Sequence, residues 1–185
     1  PQNLVINEYL EVKIIDFSNS IDYRHTKNDK IKLPFCGTNF YLPKEVIKEE
    51  RIKVKDLNKI DLYALGVILY NMAFGKYPYG LKNGDENNYK EILRKIENEE
   101  LEMDKKMEYS PLFLDFLNKL LKKDINERMN INNALNHYWV KGSKLLLDEK
   151  EKCEITSNFL RYLLENHIKK FNDYVRAESL NLCYI

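Results

Sequence analysis

The residues of this sequence that most directly suggest chemistry are Asn3 and Asp16. Leu4-Val5-Ile6 and Val12-Lys13-Ile14-Ile15 are short β-branched runs with polar Asn7-Glu8 between them, which predicts a small antiparallel hairpin. A hairpin returns its two ends to one edge, so an amide oxygen and a carboxylate would stand side by side. Hard oxygen donors of this kind suit Mg²⁺, especially an ion that already carries phosphate oxygens. Taken alone, Asn3 reads more simply as a turn residue and Asp16 as a surface charge, so the decision falls to the surrounding sequence.

The elements that would position this pair are mostly helical. Residues 18–34 lack a period and read as a long loop. From Asp61 onward, Leu65, Ile68, Leu69 and Met72 recur at helical spacing, with Leu62 and Val67 adding apolar surface. A helix this apolar is expected to be central and buried, ending at Gly75 and Pro78. Asn83-Gly84-Asp85 marks a turn. Tyr89, Ile92, Leu93 and Ile96 form the stripe of an amphipathic helix. Ser110-Pro111 supplies an N-cap and a proline at the first helical position, ahead of Phe113, Phe116, Leu117 and Leu120. Ile131, Ala134, Leu135 and Tyr138 predict one more short helix with Trp139 at its end. A last amphipathic pattern runs through Leu160, Leu164, Ile168, Phe171 and Val175. The fold class expected is mainly α, with one hairpin at the front.

Composition narrows the function classes. Lys and Arg total 30 against 29 Asp and Glu, a net charge of +1, without the basic excess of a general nucleic-acid or membrane-surface binder. Neither nucleic acid nor membrane is expected as a partner. The longest nearly apolar run, Ala64 to Met72, is too short to span a bilayer, and no signal-peptide pattern opens the sequence. Cys36, Cys153 and Cys183 are widely spaced with no CxxC, so a reducing, cytoplasmic setting is expected. His25 reads as a loop residue, His167 as part of a polar helix face, and the charge run from Asp148 to Glu154 as a solvated linker.

Five segments, in order, raise the argument above the Asn3/Asp16 pair. Pro1-Gln2-Asn3-Leu4-Val5-Ile6 resembles the end of a protein-kinase catalytic loop, and Ile14-Ile15-Asp16-Phe17-Ser18 resembles the DFG segment. The run from Cys36-Gly37-Thr38 through Phe40, Leu42 and Pro43-Lys44-Glu45 resembles the substrate-docking loop that ends in APE. Asp61 to Val67 resembles the start of the family's central helix, and Glu127-Arg128 before Ala134 to Trp139 its closing signature. Each is weak alone; the ordered set is specific. Residues 1–140 thus resemble the large C-terminal lobe of a eukaryotic serine/threonine protein kinase of the calcium/calmodulin-dependent group, with the small lobe missing.

The resemblance implies roles. Asn3 and Asp16 would hold Mg²⁺ against the phosphates of ATP, and Gln2, Val5 and Ile15 would complete the ATP site, the last two near the adenine. Thr38 matches the threonine that favours serine/threonine acceptors. Phe40 and Leu42 would shape the substrate pocket after the acceptor. Glu45 and Arg128 would form a buried ion pair, and Asp61 would hold the backbone of the catalytic loop. The aspartate of HRD would fall five residues before Asn3, ahead of Pro1, and no glycine-rich loop or strand lysine is present. These residues alone are therefore expected not to transfer phosphate, and a non-catalytic pseudokinase or scaffold lobe is the alternative reading.

Several positions depart from the family pattern. Ser18 stands for the DFG glycine, which is expected to stiffen the loop. Lys44 interrupts APE, and Asn39 replaces a usual proline. Gln2 and Asn71 occupy positions where basophilic relatives carry glutamates that read a substrate arginine, so weak selection for arginine is expected. Pro34 aligns with the usual phosphorylated threonine, leaving Thr26, Ser18 and Ser20 as hydroxyls upstream. Residues 141–185 read as a linker and amphipathic helix. They resemble the autoinhibitory junction of calcium-dependent protein kinases, on which a calcium sensor would act at residues 155–185 through Leu164, Ile168, Phe171 and Val175.

Overall fold

The computed structural model describes residues 2–6, 12–23, 26–34, 39–82, 84–103 and 109–145. Thr38, His25, the linker run and the whole 155–185 segment lie outside the described residues. The chain divides into a compact unit, Pro1–Val5 with Val12–Gly142, and a second unit, Ile6–Glu11 with Ser143–Ile185. The described elements belong to the first, apart from Ile6 at the end of one strand and the last turn of one helix.

The front hairpin forms as its β-branched runs require. Strand β1 (Leu4–Ile6) pairs with β2 (Val12–Ile14) in a two-stranded sheet. Its apolar side chains are not a core: Val5 is 40% exposed and Ile14 64%. The loop expected over 18–34 is shorter than that. Its last part forms β3 (Lys30–Lys32), which pairs antiparallel with β4 (Arg51–Lys53). Only Ile31 and Ile52 face inward there, which is too little alternation to signal a strand.

Six helices among the described residues build the rest: α1 (Lys44–Ile47), α2 (Asn58–Phe74), α3 (Tyr89–Asn98), α4 (Pro111–Leu120), α5 (Ile131–Asn136) and α6 (Tyr138–Leu145). About half of the described residues are helical. The central helix α2 packs on α4. It stops where Gly75 takes φ +65°, a left-handed conformation that lets its N–H reach the Asn71 carbonyl at 2.9 Å. Its buried face is not the expected one. Leu65 and Met72 are 38% and 51% exposed, while Leu62, Tyr63, Gly66, Val67 and Tyr70 face inward. Tyrosine rings and a glycine carry this face, and a count of aliphatic residues misses them. Gly66 is needed for close approach: a Cβ there would lie 3.0 Å from Leu120 and Leu121.

Helix α3 buries Ile92 and Ile96, and its N-cap Asn88 accepts from the Glu91 N–H at 3.1 Å. Helix α4 starts at Pro111 and buries Phe113, Phe116, Leu117 and Leu120 as its spacing predicts. The final helix divides in two: extended backbone at His137 closes α5, and Tyr138 and Trp139 open α6 instead of ending the preceding helix. His137 Nε2 lies 2.9 Å from Asp115 Oδ2 on α4, a side-chain bond that local periodicity does not encode. Aromatic rings connect these helices, from Tyr70 and Phe74 through Tyr109 and Phe113 to Trp139 and Phe116.

Among the described residues, one buried polar side-chain atom lacks a hydrogen-bond partner, the hydroxyl of Tyr63. Its ring lies beneath the Arg128 guanidinium, 4.8 Å from ring centre to Cζ. A buried, unsatisfied hydroxyl costs about 1–3 kcal/mol. Tyr63→Phe keeps the ring and is expected to raise the urea midpoint, with a gain of about 1 kcal/mol. A loss of similar size would show that the hydroxyl is satisfied after all.

Candidate functional site

The hairpin brings Asn3 and Asp16 to one cleft, as the resemblance implies. The Ile15 N–H donates to the Asn3 carbonyl at 2.9 Å, which fixes the two ends of the hairpin beside each other. Both Asn3 and Asp16 line a cleft of about 530 Å³, together with Leu42, Asn58 and Asp61. Asp16 has φ +61°, a left-handed conformation that aspartate tolerates better than most residues. Its Oδ1 accepts from the Ser18 hydroxyl at 2.6 Å and the Ser18 N–H at 3.2 Å. The hydroxyl bond, followed by the backbone bond, holds the Asp16 carboxyl below its usual range, against a smaller opposing effect of burial.

This gives the serine at the glycine position a physical account. Ser18 is not among the described residues with positive φ, so its backbone does not call for glycine here. Its hydroxyl instead clamps Asp16. Asn39 likewise has a local use, since its side-chain amide donates to the Glu86 carbonyl. The Thr26 hydroxyl accepts a long bond from the Asn28 N–H, at 3.4 Å.

Among the described residues there is no group of three or more His, Cys, Asp and Glu side chains that could hold an ion by themselves. What the cleft offers is an ionised carboxylate and an amide. These suit a hard cation that takes its remaining oxygens from phosphate and water, as Mg²⁺ does.

The other expected residues divide. Glu45 and Arg128 meet: Arg128 Nη1 donates to Glu45 Oε1 at 2.6 Å and Nη2 to Oε2 at 3.3 Å, with each residue 2% exposed. The guanidinium also donates to the carbonyls of Lys122 at 3.0 Å and Lys59 at 3.2 Å. Leu42 lines the cleft, but Phe40 does not. Phe40 is a core residue, its ring 4.5 Å from that of Tyr77, because an aromatic at that point fills the space above α2. Val5 and Ile15 are exposed and do not line this cleft, nor does Gln2.

Asp61 stands in the first turn of α2 on the cleft wall, with no hydrogen-bond partner among the described residues. By surface area it remains open to solvent, yet surrounding protein displaces enough of its hydration to push its carboxyl above the usual range. Below the unfolded value the group is neutral in both states and costs nothing. As pH rises through the folded value it must ionise where charge is disfavoured, and stability falls. Asp61→Asn is therefore expected to raise the urea midpoint at pH 7, with the difference vanishing near pH 3. A destabilised variant at pH 7 would show instead that the carboxylate is needed as an acceptor.

The sequence profile of the protein kinase domain matches residues 1–140. The chain belongs to the protein kinase domain family. Its relatives are kinases by name, several of them serine/threonine-protein kinases. It is 31% identical over 170 residues to the serine/threonine-protein kinase dkf-1 of Caenorhabditis elegans, an alignment covering 88% of this chain and 21% of the relative. It is 30% identical to an Aurora kinase of Dictyostelium discoideum, over 76% of this chain and 33% of that one. It is also 30% identical to the mouse testis-specific serine/threonine-protein kinase 1, over 75% and 36%. The chain thus spans about a fifth to a third of these relatives. No helix among the described residues is long and apolar enough to cross a membrane.

Proposed function

We propose that this chain is the large C-terminal lobe of a serine/threonine protein kinase that transfers the γ-phosphate of ATP to serine or threonine hydroxyls of protein substrates. The observation that carries the reading is the shared cleft of Asn3 and Asp16, with Asp16 kept ionised by Ser18, in a kinase-family chain. Asn3 and Asp16 would hold Mg²⁺ through their side-chain oxygens. The bound ion would neutralise charge developing on the phosphate oxygens. Gln2, Val5 and Ile15 would meet the nucleotide, and Thr38 would favour serine or threonine as the acceptor. Leu42 would contact the peptide, while Phe40 supports that loop from within the core. Glu45 and Arg128 would anchor the docking loop to the helices.

Catalysis needs a base and a phosphate-binding lysine that no residue here matches, so the activity proposed is that of the intact protein. This lobe would supply metal and peptide contacts to it. A cytoplasmic setting and a place in the calcium/calmodulin-dependent group are part of the same reading. So is an autoinhibitory helix over 155–185 released by a calcium sensor, supported by the spacing of Leu164, Ile168, Phe171 and Val175.

The test is phosphate transfer from Mg²⁺-ATP by the intact protein to paired peptides that differ only in serine, threonine or tyrosine. Transfer to serine and threonine, lost on chelation, is expected. Absence of both transfer and nucleotide binding would leave a scaffold lobe in its place.

A further inference from the structure

A second cleft, of about 820 Å³, adjoins the first and shares Tyr23 and Asn58 with it. Lys27, Lys30, Lys53 and Lys55 line it, against a single acid, Asp29. All four lysines are exposed, and none is paired with an acid among the described residues. The neighbouring cations differ: Lys32 is bound by Glu49, and Lys59 by Asp56 at 2.9 Å. Strand pairing sets Lys30 directly opposite Lys53, and Lys32 opposite Arg51. Like charges directly opposed across a two-stranded ribbon are destabilising. The Glu49 side chain relieves the Lys32–Arg51 pair from one side. No ion pair among the described residues relieves Lys30 and Lys53, which stand at the cleft with Asp29 as the one acid in its lining.

The position of this charge matters as much as its sign. The cleft shares Tyr23 and Asn58 with the one that holds Asn3 and Asp16, so a peptide with its hydroxyl in the first could reach the second with a neighbouring segment. The positions at which basophilic relatives read arginine are neutral here, Gln2 and Asn71. No acid at those two positions would draw a basic substrate, and four lysines against one aspartate favour the opposite charge.

We propose that this basic cleft receives an acidic segment, aspartate, glutamate or phosphorylated side chains, of the protein substrate whose hydroxyl enters the Asn3/Asp16 cleft. The inference rests on the kinase reading above, and its test is chosen to be separable from it.

The experiment is fluorescence anisotropy with the intact protein and three labelled peptides built around one serine: one rich in Glu and Asp, one with Gln and Asn in their place, and one with Lys and Arg. The acidic peptide is expected to bind at least tenfold more tightly than the neutral one, with affinity falling as salt rises. The charge-reversed double variant Lys30→Glu/Lys53→Glu is expected to lose that tenfold advantage while its Mg²⁺-ATP binding is unchanged. Its fold is checked by the milder Lys53→Gln, expected to keep or raise the thermal midpoint because a repulsive pair is removed. Equal binding of the three peptides, or an unaffected double variant, would overturn the proposal. So would an RNA oligomer or phosphatidylserine vesicle that displaces the acidic peptide at lower charge concentration, since the cleft would then serve a nucleic acid or a membrane. Acidic-peptide binding without phosphate transfer would leave the cleft assignment standing and remove the kinase reading alone.

Discussion

Arg128→Leu is expected to cost about 3–5 kcal/mol of folding stability, the cost of leaving one member of a buried ion pair uncompensated. Glu45 is 2% exposed and would keep a carboxylate in the interior with both guanidinium bonds gone. The carbonyls of Lys59 and Lys122 would lose a donor in the same step. Most single domains have only about 5–15 kcal/mol in total, so the variant stands near the threshold of folding. The double variant Glu45→Gln/Arg128→Leu is expected to recover part of the loss, because it removes the orphaned charge. The single tryptophan, Trp139, is partly buried against Phe113 and Phe116 at the edge of the core and gives a convenient emission signal for urea unfolding. A single-variant loss below about 1 kcal/mol, the value of an exposed pair, would contradict the buried geometry.

The second large effect concerns the cleft. Asp16→Asn keeps the shape of the side chain and removes its charge, and is expected to lower phosphate transfer by the intact protein on the order of 10²–10³-fold. Because Asp16 is exposed, the urea midpoint is expected to stay where it is. A rate within threefold of the parent would end the metal role assigned to this residue.

Ser18→Ala provides the matching pH measurement. Asp16 has its folded-state pKa lowered, chiefly by the Ser18 hydroxyl, so the carboxylate survives to pH values below its usual range and is protonated only as pH falls through the lowered value. Without that hydroxyl, the midpoint for acid loss of Mn²⁺ or Mg²⁺ binding is expected to move upward in pH, while neutral-pH affinity changes little. An unmoved midpoint would mean that Asp16 does not carry the ion.

Local sequence pattern makes part of this architecture legible. The front hairpin follows from β-branched runs around a polar turn, and α4 follows from Ser110, Pro111 and four apolar residues at helical spacing. The buried face of α2 does not, because Tyr63, Gly66 and Tyr70 form it, and tyrosine carries both a core-forming ring and a polar tip. The β3–β4 ribbon is hidden because each strand offers one inward isoleucine between two cations. The site divides in the same way. That Asn3 and Asp16 share one edge can be read from hairpin geometry, while their selection as a site rests on the surrounding motifs. The meeting of Glu45 and Arg128 can be read only through a family resemblance, since nothing in either local segment points to the other. The burial of Phe40 in the core is not legible locally, because an exposed loop position and a core position look alike when the residue is aromatic. The lysine cleft is invisible there because its charges come from two segments far apart in sequence that strand pairing brings together.

The Glu45–Arg128 pair also has a consequence in time. Its partners are 83 residues apart in the chain, so at a synthesis rate of about 5–20 residues per second Glu45 is incorporated about 4–17 s before Arg128. For that interval the carboxylate lacks the guanidinium that satisfies both of its oxygens in the folded interior. The pair can therefore form only after Arg128 has joined the chain, so closure of this part of the core is a late event in synthesis.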